Sequence, residues 1–171
     1  MKKLTQYIDE RLKLNKNTII HKTHLTLNDF VEKYSLEKDE NTDQSAKSFL
    51  SVIYKFTENT PIDIYKKLKR IRESKFHKSE DKFNTEFKLN EKNCELSYDY
   101  DDMYDRYYTF SFYKKAKDGI GLTQLGYVKI TRRIMIYYWK DENLGYRQNL
   151  TSDDIIQVET AIFTWINYLL T

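Results

Sequence analysis

The chain has 171 residues, the length of one globular domain, which leaves no room for two unrelated modules. Hydrophobic residues make up 40% and charged residues 32%, with four Gly and one Pro, so a core can form and a disordered chain is excluded. Lys and Arg number 29 against 26 Asp and Glu, a net charge of +3 that is too balanced for a general polyanion binder; residues 1–80, with 17 basic and 12 acidic side chains, carry the positive excess.

Leu4, Tyr7, Ile8 and Leu12 share one face at helical spacing and predict a short amphipathic helix. Ile19 and Ile20 suit a short strand, and Thr26 or Asn28 can cap a helix bearing Leu27, Phe30, Val31 and Tyr34. Residues 36–44 are mostly charged or amide side chains and read as a loop. From Ser45 to Thr57 the stripe Phe49, Val52, Ile53 and Phe56 predicts a second helix. Thr60-Pro61 marks the start of a third, with Ile64, Leu68 and Ile71 as its buried seam; Lys66, Lys67, Lys69, Arg70, Arg72, Lys75 and Lys78 make 61–78 the most basic segment of the chain.

From residue 83 the period changes to alternation. Phe87 and Leu89, then Cys94, Leu96, Tyr98 and Tyr100, predict a hairpin turning at Asn90 to Asn93, followed by a strand from Arg106 to Lys115 with Tyr108, Phe110 and Phe112 inward. Asp118-Gly119 is a turn signal, and a fourth strand is expected over Leu122 to Trp139, with Val128, Ile130, Ile134, Ile136 and Tyr138 inward. A tight turn would put Phe110 opposite the wrong side of that strand; a bulge at Gly126 restores Phe110 to Val128 and Tyr108 to Ile130. A fifth strand is expected at Tyr146 to Leu150. Thr151-Ser152-Asp153-Asp154 then caps a last helix whose apolar face runs from Ile155 to Leu170.

These elements define an α+β protein: N-terminal helices, an antiparallel meander sheet of about five strands and a C-terminal helix packed on one sheet face. The expected division is an amphipathic leader and connector at 1–24 and a single α+β domain at 25–171, with a helical half at 25–80 and the sheet plus C-terminal helix at 81–171. No apolar run is long enough for a membrane span, and Met-Lys-Lys leads into an amphipathic stretch instead of an apolar signal region, so a soluble, unsecreted protein without membrane partners is expected. The single Cys94, inward on its strand, excludes an internal disulfide and suits a reducing compartment.

The chemistry in the sequence is sparse. His21 and His24 fall in an extended stretch that points them to opposite sides, so they read as no metal pair. Asp99, Asp101, Asp102 and Asp105 could hold a hard cation, but they lack the Gly and distal Glu of a calcium loop and read first as a solvated acidic turn. There is no Gly-x-Ser-x-Gly, no phosphate loop and no His-Glu-x-x-His, so no catalytic residue and no cofactor is expected. Lys66, Lys67, Lys69 and Arg70, with Lys129, Arg133 and the outward Tyr107, Tyr113 and Tyr127, could neutralise phosphates and stack on bases, although no RNA-recognition or helix-turn-helix motif is present. Met135, Tyr137 and Trp139, outward on the fourth strand, form an apolar patch that either an N-terminal helix or a partner should cover. The 15 tyrosines are read as compositional bias before any binding role.

The stretch from Leu4 to Thr18, Leu-Thr-Gln-Tyr-Ile-Asp-Glu-Arg-Leu-Lys-Leu-Asn-Lys-Asn-Thr, resembles the short leader that opens many proteins of tailed phages, crAss-like phages especially, and is loosely similar to capsid-targeting peptides. The resemblance implies a phage or mobile-element protein, in the host cytoplasm or on the virion, whose Leu4, Tyr7, Ile8 and Leu12 dock onto another protein. The expected function is therefore non-enzymatic protein–protein contact, as a virion component or an accessory factor acting on a host protein. The alternative is nucleic-acid binding through the basic helix 61–78.

Overall fold

The computed structural model describes residues 25–41, 49–73, 82–89, 92–101, 106–115, 121–140 and 152–171, with the backbone alone for 82–94 and 152–154. In chain order these form α1 (Leu27–Lys33), β1 (Glu37–Asp39), β2 (Phe49–Lys55), α2 (Ile64–Glu73), β3 (Lys82–Leu89), β4 (Lys92–Asp101), β5 (Tyr107–Lys115), β6 (Leu122–Ile130), β7 (Ile134–Lys140) and α3 (Ser152–Leu170). This is the α+β arrangement expected, with α3 on the sheet. No helix among the described residues is long and apolar enough to cross a membrane.

All strands join one antiparallel sheet of seven, in the order β1-β2-β7-β6-β5-β4-β3. Strands β3 to β7 are therefore an up-and-down meander, and the N-terminal strands β1 and β2 extend it along β7. The decisive register lies between β5 and β6. Phe110 pairs with Val128 and Tyr108 with Ile130, as the sequence predicts, because Phe112 faces Gly126 while Tyr113 faces Gln124, leaving Leu125 as the extra residue. Gly126 suits the kink: a Cβ there would lie 3.2 Å from the Tyr138 carbonyl oxygen and 3.2 Å from a Val158 methyl of α3. The bulge thus lies where helix and sheet approach most closely.

One sheet face carries all three helices. Leu96, Tyr98, Tyr108, Phe110, Phe112, Val128 and Ile130 rise from it into a core closed by Phe30 of α1, Ile64, Tyr65 and Leu68 of α2, and Ile162, Phe163 and Ile166 of α3. Aromatic contacts fill the layer. Tyr98 stacks on Phe110 at 4.8 Å, Tyr100 meets Tyr108 at 4.7 Å, and Tyr65 reaches Tyr108 at 5.3 Å. The Tyr98 hydroxyl donates to the Leu68 carbonyl oxygen, so a strand tyrosine anchors α2 directly. Much of the tyrosine excess is core material.

Several expectations are corrected. Phe49–Lys55 is a strand where the 3-and-4 spacing predicts a helix. Both of its faces are apolar: Val52 and Tyr54 point to the main core, and Phe49 and Ile53 to a second cluster with Ile136 and Tyr138, so the two-residue alternation is hidden. Residues 37–39, expected as loop, pair with β2, and the first half is accordingly not all helix. The single strand expected over 122–139 is a hairpin, closed where the Thr131 hydroxyl oxygen accepts from the Ile134 N–H at 3.1 Å. That turn resets the faces. Ile130 pairs with Met135, and cross-strand partners share a face, so Met135 and Tyr137 are buried under the helices while Ile134, Ile136 and Tyr138 look the other way. The patch thought to be outward is thus largely covered by the chain's own helices. Finally, α2 is capped by Asp63, whose carboxylate accepts from the Lys66 N–H at 3.0 Å, and not by Thr60. The leader 4–14, the pair Ile19-Ile20, His21, His24, Asp118-Gly119, the strand 146–150 and Thr151 lie outside the described residues.

Helix α1 is tied down by α3 through side chain to backbone bonds. Thr26 caps it in a reciprocal box with Asp29, the Leu27 N–H donates to Glu159 at 2.8 Å, and the Leu25 N–H donates to the Thr164 hydroxyl oxygen at 3.0 Å. At the other end, Asn167 accepts from both Lys33 and the Tyr34 hydroxyl at 2.8 Å. Burial lifts the Glu159 carboxyl above its ordinary 4.5, and the Leu27 N–H only partly offsets this.

Two outcomes are expected. Gly126→Ala should destabilise the fold by about 1–3 kcal/mol in urea unfolding, because the Tyr138 carbonyl is backbone in an inner strand and cannot give way. Because the folded-state pKa of Glu159 is raised, its protonated form favours folding, and stability falls as pH climbs from 4.5 through that raised value. Glu159→Gln keeps an acceptor for Leu27 and should melt higher than the parent at neutral pH, the difference closing below pH 4.5.

Candidate nucleic-acid interface

The β5–β6 register has a direct consequence at the end of the sheet. Tyr108 and Ile130 are the last pair of that ladder, and beyond it Arg106, just before β5, and Arg132, in the β6–β7 turn, line one cavity. The turn sequence Thr131-Arg132-Arg133 adds a third guanidinium. Arg106, Arg132 and Arg133 are all exposed, and with Thr131 and Ile134 they line a cavity of about 480 Å³. Arg106 holds φ at 49°, a left-handed conformation uncommon for a side-chain-bearing residue, which turns the chain sharply into β5. Among the described residues, no carboxylate lies within ion-pair distance of any of the three.

The turn adjoins the basic helix through Arg132. Its guanidinium sits 5.5 Å from the Tyr65 ring of α2, and Arg132 also lines a second cavity of about 300 Å³ beside the start of that helix. On α2, Ile64, Tyr65 and Leu68 are buried, which orients the helix; Lys66, Lys69 and Arg70, at 3- and 4-residue spacing, form an exposed stripe on its outer side. Lys67 is half-buried. Arg72 is turned inward over Tyr100, 3.9 Å from the ring centre. The arginine turn thus meets α2 at Tyr65, and the same helix carries Lys66, Lys69 and Arg70 exposed.

The sheet face opposite the described helices carries a different set. Lys129 lies there, 4.2 Å over the Tyr107 ring, and so does not join the basic surface of α2. Asp99 and Asp101 stand two residues apart on β4 beside Ser97, Thr109, Ser111 and Gln124, around a small cavity of about 170 Å³. Asp101 accepts from the Tyr107 hydroxyl at 3.2 Å. Asp102 and Asp105 lie outside the described residues, and among the described residues no three His, Cys, Asp or Glu side chains come together as a metal site.

The tyrosines around α2 offer no acid–base chemistry. Burial, reinforced by their mutual proximity, pushes the Tyr98 and Tyr108 hydroxyls far above their ordinary range, so both are neutral at any physiological pH. Their part is to hold α2 in place.

Of the residues singled out from sequence, Lys66, Lys69 and Arg70 are exposed on α2, Lys67 is half-buried there, Arg133 lines the arginine cavity in the β6–β7 turn, and Lys129 lies on the other face of the sheet. Leu4, Tyr7, Ile8 and Leu12 lie outside the described residues. Sequence reasoning missed Arg106 and Arg132. The available signal was the polar triplet Thr131 to Arg133 interrupting an apolar alternation, which marks a turn even without Gly, Pro or Asn. The fold and its surface define an α+β protein with helices on one face of an antiparallel sheet and an arginine-rich turn at the sheet's end. No protein-family model, no curated protein and no solved structure matches this chain.

Proposed function

We propose that this protein is a nucleic-acid-binding protein and not an enzyme, holding the phosphate backbone along the outer side of α2 and the β6–β7 turn. The observation that carries the reading is the convergence of Arg106, Arg132 and Arg133 on one cavity at the end of the exposed stripe Lys66, Lys69 and Arg70. Cations held this way neutralise phosphates and release condensed counterions, which suits binding that is sequence-tolerant and strongly salt-dependent. Contacts of this kind set position and not base identity, in keeping with the lack of any base-reading motif in the sequence.

The test is a fluorescence-anisotropy titration against single- and double-stranded DNA and RNA at low and physiological salt. At least one of these should bind, with affinity falling steeply as salt rises. The triple variant Lys66→Glu, Lys69→Glu, Arg70→Glu should bind at least tenfold more weakly, with a salt slope shallower by about 2 to 3 for three lost contacts, while its circular dichroism stays that of the parent. Flat curves for every nucleic acid would overturn the reading and promote the alternative, a phage or mobile-element protein whose leader docks onto a protein partner.

A further inference from the structure

We propose that the two cavities joined by Arg132 form one binding site for a single phosphorylated nucleotide unit, its phosphate among the arginines and its nucleoside beside the start of α2. This deepens the nucleic-acid reading, on which it rests for the class of ligand, by naming the unit and where it sits.

The first cavity has the chemistry of a phosphate site. Three exposed arginines from two chain segments line it, and each can present a planar fork to phosphate oxygens, a geometry Lys cannot reproduce. The left-handed backbone at Arg106 keeps that side chain at the cavity, where an extended residue would continue straight out of the strand. The strain is local, and phosphate binding is the use the surroundings offer for it.

The second cavity has a different lining. Phe56, Pro61 and Ile62 supply an apolar floor, while Thr57, Thr60 and Asp63 bring polar groups to the same space. Phe56 is held there because its N–H donates to the Arg133 carbonyl oxygen at 3.0 Å, which joins the floor of one cavity to the wall of the other. The Thr60 hydroxyl oxygen accepts from the Thr57 N–H at 2.9 Å and so keeps its proton to donate. An apolar surface edged by a hydroxyl donor and a carboxylate acceptor suits a base and its sugar, whose faces are apolar and whose rims carry donors and acceptors. Arg132 belongs to both cavities and bridges the two parts of the ligand.

The test is calorimetric titration of the intact protein with each of the four ribonucleoside 5′-monophosphates, with the unphosphorylated nucleosides and with inorganic phosphate. At least one monophosphate should bind tenfold or more tightly than inorganic phosphate and than its own nucleoside. Arg106→Gln with Arg133→Gln should weaken that binding at least tenfold, and Ile62→Asp should weaken the monophosphate while leaving inorganic phosphate within twofold. The helix variant at Lys66, Lys69 and Arg70 reads out the polymer reading separately, through oligonucleotide binding. Monophosphates that bind no better than inorganic phosphate, or that ignore the arginine substitutions, would overturn the inference. If oligonucleotides bind and lose affinity in the helix variant while monophosphates do not bind, the inference fails and the broader reading stands; the reverse pattern retains the nucleotide site and removes the polymer reading.

Discussion

Everything in this protein hangs on the pairing of β5 with β6 and the one extra residue within it. A strand slipped by one position turns every side chain to the opposite face. With Leu125 as the extra residue, itself buried in the core, Phe110 meets Val128 and Tyr108 meets Ile130, and all four join the face that the helices cover. Fully burying one large apolar side chain is worth about 1.5–3 kcal/mol, so the alternative register would forfeit several such terms at once. Past the last pair of that ladder, Arg106 and the turn holding Arg132 line one cavity, so the core and the basic cavity sit along and at the end of the same two strands.

Helix α2 depends on that register in turn. Tyr65 packs on Tyr108, and the Leu68 carbonyl receives the Tyr98 hydroxyl, so the helix is seated on strand aromatics that are themselves placed by β4–β5–β6 pairing. Because Ile64, Tyr65 and Leu68 are committed inward, Lys66, Lys69 and Arg70 have only the outward direction left. The charge stripe is what remains after the apolar seam is satisfied.

The fold was legible where one face of an element is apolar and the other is not. The alternation of β4 and β5, the capping of α1 by Thr26 and the bulge beside Gly126 could all be read from residues and spacing, because each leaves a local mark. It was illegible where both faces are apolar, as in β2, since Val52-Ile53-Tyr54 fits a helical stripe as well as a two-sided strand. The β6–β7 turn was missed for another reason. Its closure comes from the Thr131 hydroxyl and not from a glycine, and missing it inverted the faces of every residue from Ile134 onward. The candidate site shared that fate. The exposed lysines of α2 follow from its seam, whereas Arg106 and Arg132 lie far apart in sequence and come to one cavity only once β5 and β6 are paired.

The bonds that seat α1 span nearly the whole described chain: Leu25 and Thr164 are separated by 139 positions, and Lys33 and Asn167 by 134. Strand β2 pairs with β1 nearby in sequence, but it joins the meander only through β7, the meander's last strand. The meander from β3 to β7 can therefore assemble from neighbouring hairpins with little loop entropy to overcome, whereas α1 and the β1–β2 pair need partners made later in the chain. In such an order the N-terminal pieces join last, β2 along β7 and α1 against α3. The early chain must wait, with the apolar faces of β2 uncovered, for partners encoded at the other end.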